Sequence, residues 1–156
     1  MSISKIFAIF STIFFVFGLA IVDSADMGKT VPQIIKEAKS QIPEVTVEEI
    51  RNDIDAGKNF ILLDVRTSEE YTAGHLPNSV NIQRGLLEFL IGKKYPEKNT
   101  NLVLYCRTDP RAALCTNALK EMGYANAKNL KGGFDNISFD RVLSGKVDVL
   151  AVGSDS

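Results

Sequence analysis

Cys106 ends the apolar run Leu102-Val103-Leu104-Tyr105 and opens the hexapeptide Cys106-Arg107-Thr108-Asp109-Pro110-Arg111, after which residues 112–122 carry a helix-like pattern. A thiol between the carboxyl end of a strand and the start of a helix lies among unpaired backbone N–H donors, at the positive end of a helix dipole. That setting favours a thiolate and lets an anion rest beside it. Taken alone, Cys106 also fits a buried cysteine closing a core strand, because free cysteine is among the most buried residue types. The arginines at 107 and 111 weigh toward chemistry. The chemical reading requires a sulfur that is ionised near neutrality and reachable from solvent.

The elements that position this loop are read from pattern and punctuation. Ala25 to Pro43 reads as a leader with a helical stretch from Gln33 to Ser40, and the domain proper starts near Val45. Thr46 and Glu49 have capping-box spacing and open a helix that stops at Gly57; Thr67 and Glu70 repeat the device for a short helix ending at Gly74. Phe60 to Val65 is a continuous apolar run of strand length, as expected where both faces of a sheet are covered. Further strands are expected at Ser79–Ile82, Leu102–Tyr105 and Ala127–Leu130, and helices at Leu86–Ile91, Ala112–Met122 and Phe134–Asp140. The alternation implies an α/β fold, a parallel sheet with helices on both faces. In such sheets ligands bind beyond the carboxyl ends of the strands, where Cys106 falls. The division expected is 1–24 signal or anchor, 25–43 leader, 44–142 domain and 143–156 a weakly patterned tail.

The chain has 156 residues, 45% of them apolar, and a formal net charge of −1. That suffices for one core and offers no basic field for nucleic acid. Lys5 precedes an apolar run over residues 6–22, followed by Asp23-Ser24-Ala25, which reads as an export signal cut after Ser24 or Ala25. An uncleaved membrane anchor over residues 6–22 is the alternative. Two cysteines in an oxidising compartment raise the question of a disulfide. Cys115 belongs to the core-facing set Cys115, Ala118, Leu119 and Met122, poorly placed to reach Cys106, so two free thiols are expected. His75 is the single histidine and the cysteines lack zinc-ligand spacing, so no metal site and no cofactor are indicated. His75 is read as stabilising a turn, and Lys93, Lys94 and Lys98 as a solvated cluster.

Several separated segments, in order, resemble the rhodanese family of sulfurtransferases. Leu63-Asp64-Val65-Arg66, Glu69-Glu70-Tyr71 and Gly74-His75-Leu76-Pro77-Asn78-Ser79-Val80-Asn81-Ile82 look like its first signature. Tyr105-Cys106-Arg107 through Arg111-Ala112 look like its active-site loop, and Gly123-Tyr124 with Leu130-Lys131-Gly132-Gly133-Phe134 like its closing signature. The resemblance implies a five-stranded parallel sheet. It further implies a Cys106 that accepts a sulfane sulfur as a persulfide and passes it to a thiol or cyanide. The loop from Arg107 and Thr108 through Asp109, Arg111 and Ala112 would bind the substrate, its amides forming a nest around the sulfur. Arg111 is positioned to hold an oxyanion such as the sulfonate end of thiosulfate; Arg107 either adds positive potential at the rim or is simply solvated. Asp64 and Arg66 are read as a charge pair fixing neighbouring loops, with a contact to the active loop open to them. Related phosphatases place five residues between cysteine and arginine; this chain has four, which suits a smaller sulfur centre.

Two positions depart from the pattern. Asp109 stands where the family loop usually has glycine, and Pro110 follows it; proline removes one N–H from the nest and pushes residue 109 toward extended geometry. Pointing inward, Asp109 would repel an anionic donor; pointing outward, it would pair with Arg107 or Arg111. Ile137 stands near where the family often has tryptophan, a matter of packing. The rival functional readings are a non-catalytic sulfur- or anion-binding module and, disfavoured by loop length, phosphate or arsenate chemistry.

Overall fold

The computed structural model describes residues 28–137. The expected signal or anchor, the end of the expected final helix and the tail lie outside these residues. Within them the chain runs α1 (Val31–Gln41), β1 (Glu44–Val45), α2 (Val47–Asp55), β2 (Ile61–Asp64), α3 (Ser68–Ala73), β3 (Val80–Asn81), a 3₁₀ turn (Arg84–Leu86), α4 (Leu87–Lys94), β4 (Leu102–Tyr105), α5 (Pro110–Glu121), β5 (Ala127–Leu130) and a second 3₁₀ turn (Phe134–Asn136). The strands form one parallel sheet in the order β1-β5-β4-β2-β3. Among the described residues no helix is long and apolar enough to cross a membrane.

Alternation along the central strand sorts the core into two layers. Leu102 and Leu104 of β4 pack with Leu63, Leu87, Ile91, Cys115 and Leu119 on the face covered by α4 and α5. Val103 and Tyr105 pack with Val45, Ile50, Leu62 and Leu130 on the face covered by α2. Side chains of a strand point to opposite faces in turn, so a strand covered on both reads as an unbroken apolar run. Cys106 continues the alternation toward the α5 face.

Both capping boxes form. Thr46 accepts from the Glu49 amide at 3.2 Å while the Glu49 carboxylate takes the Thr46 amide at 2.7 Å; Thr67 and Glu70 make the same exchange. Helix α1 covers the whole expected helical stretch and packs on α5, inside the compact unit that begins at Val31; the Lys120 ammonium caps its last carbonyl, at Gln41, at 2.7 Å. The final helix is shorter than expected: Phe134–Asn136 makes one 3₁₀ turn and Ile137 is already extended, its side chain buried in the second layer. Helix α5 begins two residues before the expected Ala112, because Pro110 occupies the first turn, where its missing N–H has no helical partner to lose.

Candidate active site

The hexapeptide lies at the carboxyl edge of the sheet, between β4 and α5. The Asp109 amide donates to the Cys106 sulfur at 3.1 Å, so the loop curls its backbone around the thiol. The first two carbonyls of the loop are gripped by the closing turn. The Phe134 amide donates to the Cys106 carbonyl at 2.8 Å and the Asp135 amide to the Arg107 carbonyl at 3.0 Å. The closing Gly-Gly turn brings those amides into place, and Gly133 touches the loop directly. A Cβ there would stand 2.7 Å from both the Cys106 and the Arg107 carbonyl oxygens, at a φ of +63°. Gly133→Ala is therefore expected to destabilise by about 2–3 kcal/mol, roughly 1 from the left-handed backbone and the rest from backbone overlap. Gly57, at φ +69° with open space around it, is the control: Gly57→Ala should lose only about 1 kcal/mol in the same urea titration.

Cys106 is completely buried, 0% exposed. This corrects the expectation of a thiol open to solvent at the sheet edge: the loop folds over its own first residue. The adjoining Arg107 and Thr108 are exposed. Arg107 pairs with Asp135 at 2.9 Å on that exposed rim, so it is not free in solvent.

Arg111 carries the largest change from the sequence reading. Both terminal nitrogens of its guanidinium bind Glu70, at 2.7 and 2.8 Å, instead of standing open for an oxyanion. Its pKa is raised, first by the bond to Glu70, against burial, with smaller contributions from Cys106. The same Glu70 carboxylate closes the Thr67 capping box at 3.1 Å, so one side chain ties α3 to α5. The Arg111 bond holds the Glu70 carboxyl at about 2, below an ordinary 4.5, against its burial. A depressed folded-state pKa adds stability that is complete above pH 4.5 and disappears as the pH falls toward 2. Glu70→Gln should lose about 1 kcal/mol at pH 6, a partly exposed pair being screened by water, and the gap from wild type should narrow by pH 3 in urea denaturation.

Asp109 turns to neither arginine. Its backbone stands at φ +100° and ψ −46°, not in the extended geometry expected before proline. A non-glycine residue held there costs about 1–3 kcal/mol and persists only where its surroundings over-determine it. Here they do: the carboxylate is buried against Lys39 of α1 and Asn129 of β5. Ala112 is fully buried in the first turn of α5, under the loop, and has no exposed surface to offer a substrate.

Asp64 and Arg66 form a buried pair, 0% and 4% exposed, with Arg66 nitrogens 2.7 to 3.0 Å from the carboxylate. Arg66 also donates to the Gly74 carbonyl at 2.7 Å and lies under the Phe134 ring, 4.1 Å from its centroid. The pair thus reaches the active loop through the residue that grips Cys106. His75 stacks on Tyr71 at 3.9 Å and bonds its carbonyl, the turn role read from sequence. Cys115 is free, like Cys106, and burial pushes its thiol up to about 12. Sequence reasoning missed Lys39 and Asn129 altogether and saw in Glu70 a cap and a signature residue, not the partner of Arg111.

Comparison with known proteins agrees with this architecture. The family model described as Rhodanese-like domain matches residues 46–139. A putative sulfur carrier protein of Bacillus subtilis is 31% identical over 99 residues, 62% of this chain and 51% of that protein. The chain thus spans about half of that relative's length and less of other curated relatives. A human single-domain sulfurtransferase superposes with a TM-score of 0.54 at 29% identity, covering 59% of this chain and 91% of the other. A Rhodopseudomonas palustris protein described as a possible tyrosine phosphatase gives 0.64 at 25% identity, covering 70% and 89%. The chain belongs to the rhodanese-like domain family.

Proposed function

We propose that this protein is a sulfurtransferase that carries a sulfane sulfur on Cys106. The observation that supports it most is the Asp109 amide bond to the Cys106 sulfur, within a loop whose carbonyls are held away from it. The Cys106 thiolate attacks the outer sulfur of a donor such as thiosulfate. A sulfur–sulfur bond forms, and sulfite leaves with the electron pair of the bond that breaks. A thiolate or cyanide then attacks the outer sulfur of the persulfide, and Cys106 departs as thiolate. The Asp109 amide stabilises the anionic sulfur. Because the resting sulfur is covered, the Arg107–Thr108 crest must lift to admit donor and acceptor. The four-residue spacing from Cys106 to Arg111 argues against phosphate chemistry. The apolar run at residues 6–22 supports an exported protein, periplasmic in a bacterium, or one anchored there.

The complete cover over Cys106 favours one second reading, a module that stores sulfur without passing it on. Intact mass after incubation with thiosulfate, then with cyanide, separates the two. The proposal expects a gain of one sulfur that cyanide removes with formation of thiocyanate. A stable adduct supports the storage module, and no adduct at all sinks the proposal.

A further inference from the structure

Asp109 is a negative charge built into a loop that is to hold anions, at a residue whose own amide touches the sulfur. Its carboxylate is bonded to Lys39 and Asn129 in a part-buried cluster that Glu44 completes. Lys39 stands between two carboxylates, pairing with Asp109 and, at 3.3 Å, with Glu44. Asn129 spends its amide hydrogens on the same two acids, and its fully buried Oδ1 has no hydrogen-bond partner among the described residues. A core would not gain stability from so costly a cluster when glycine at 109 would relieve the backbone as well. Lys39 is the one cation that pairs with Asp109 among the described residues, and it comes from α1, ahead of the sheet.

We propose that Lys39 is a positioning residue for the active loop, holding and neutralising the Asp109 carboxylate so that its charge does not oppose anions at Cys106. The inference rests on Cys106 being the anion-bearing sulfur proposed above, but its test needs no sulfur transfer. Alkylation of Cys106 by iodoacetate and by iodoacetamide is followed by peptide mass on the full chain. The ratio of the two rates reports the local potential toward an anion, because thiolate fraction and loop opening act on both reagents alike. In Lys39→Met the ratio should fall about tenfold, the effect of one unmasked charge at close range, and Lys39→Arg should stay near wild type. In the double variant Lys39→Met with Asp109→Gly the ratio should return close to wild type, because both charges of the pair are gone. An unchanged ratio in Lys39→Met overturns the proposal. So does a double variant whose ratio stays as low as that of Lys39→Met, which would mean that the fall does not come from an unmasked Asp109. Should Lys39→Met not fold alone, the double variant, which strands neither charge of the pair, decides: a ratio close to wild type supports the proposal, and a tenfold departure refutes it. Loss of the cyanide-dischargeable adduct with this alkylation pattern intact would overturn the sulfur-transfer reading and leave the role of Lys39 standing.

Discussion

Cys106→Ser is expected to abolish sulfur transfer, by at least about 1,000-fold, while leaving the fold intact. Serine nearly matches cysteine in shape, so the layer formed by Leu104, Ala112 and Leu119 around position 106 keeps its packing. Its hydroxyl still meets the Asp109 amide, but an alcohol stays protonated near neutrality and forms no persulfide. The measurement is paired: thiocyanate formation for activity, and urea midpoints for the fold. The second cysteine provides the contrast. Cys115 is 2% exposed, with its thiol pushed up to about 12 by burial, which leaves it protonated and inert. Cys115→Ala should therefore lose stability and keep transfer. Full activity in Cys106→Ser would remove the foundation of the proposed mechanism.

Asp64→Ala should produce the largest loss of stability, about 3–5 kcal/mol, because it strands a guanidinium that is 4% exposed. The Gly74 carbonyl and the Phe134 ring remain as partners for Arg66, but neither neutralises it. Replacing both members, as Asp64→Leu with Arg66→Met, should recover most of the loss, since an apolar pair carries no desolvation cost. Activity should behave differently from stability. Phe134 lies on Arg66 while its amide holds the Cys106 carbonyl, so the repacked variant is expected to fold and still transfer sulfur slowly. Equal recovery of both properties would show that the pair has no influence on the loop.

What could be read from the chain follows from how local each feature is. Strands β2 and β4 are covered on both faces and announce themselves as apolar runs, and the Thr46 and Thr67 caps are visible because their partners lie three residues away. Strand β1 has two residues, too few to show a period. The last helix was expected to run on from Phe134, but the amides of Phe134 and Asp135 are taken up by the active loop and the chain leaves after one turn. In the site, Cys106 and its loop are evident from the run-then-helix boundary. The partners of that loop are not: Glu70 lies 41 residues from Arg111, and Lys39 lies 70 from Asp109. Weighing only Arg107 and Arg111 as partners for Asp109 assumed ordinary backbone. A φ of +100° sends the side chain to a different surface of the loop.

The bond between Lys39 and Asp109 has a bearing on descent. If an aspartate at 109 is tolerable only beside a lysine at 39, neither can drift alone, and the two should be gained or lost together along a lineage. Homologues that keep glycine in the loop would be free to carry any residue at the first site, or to dispense with the leading helix.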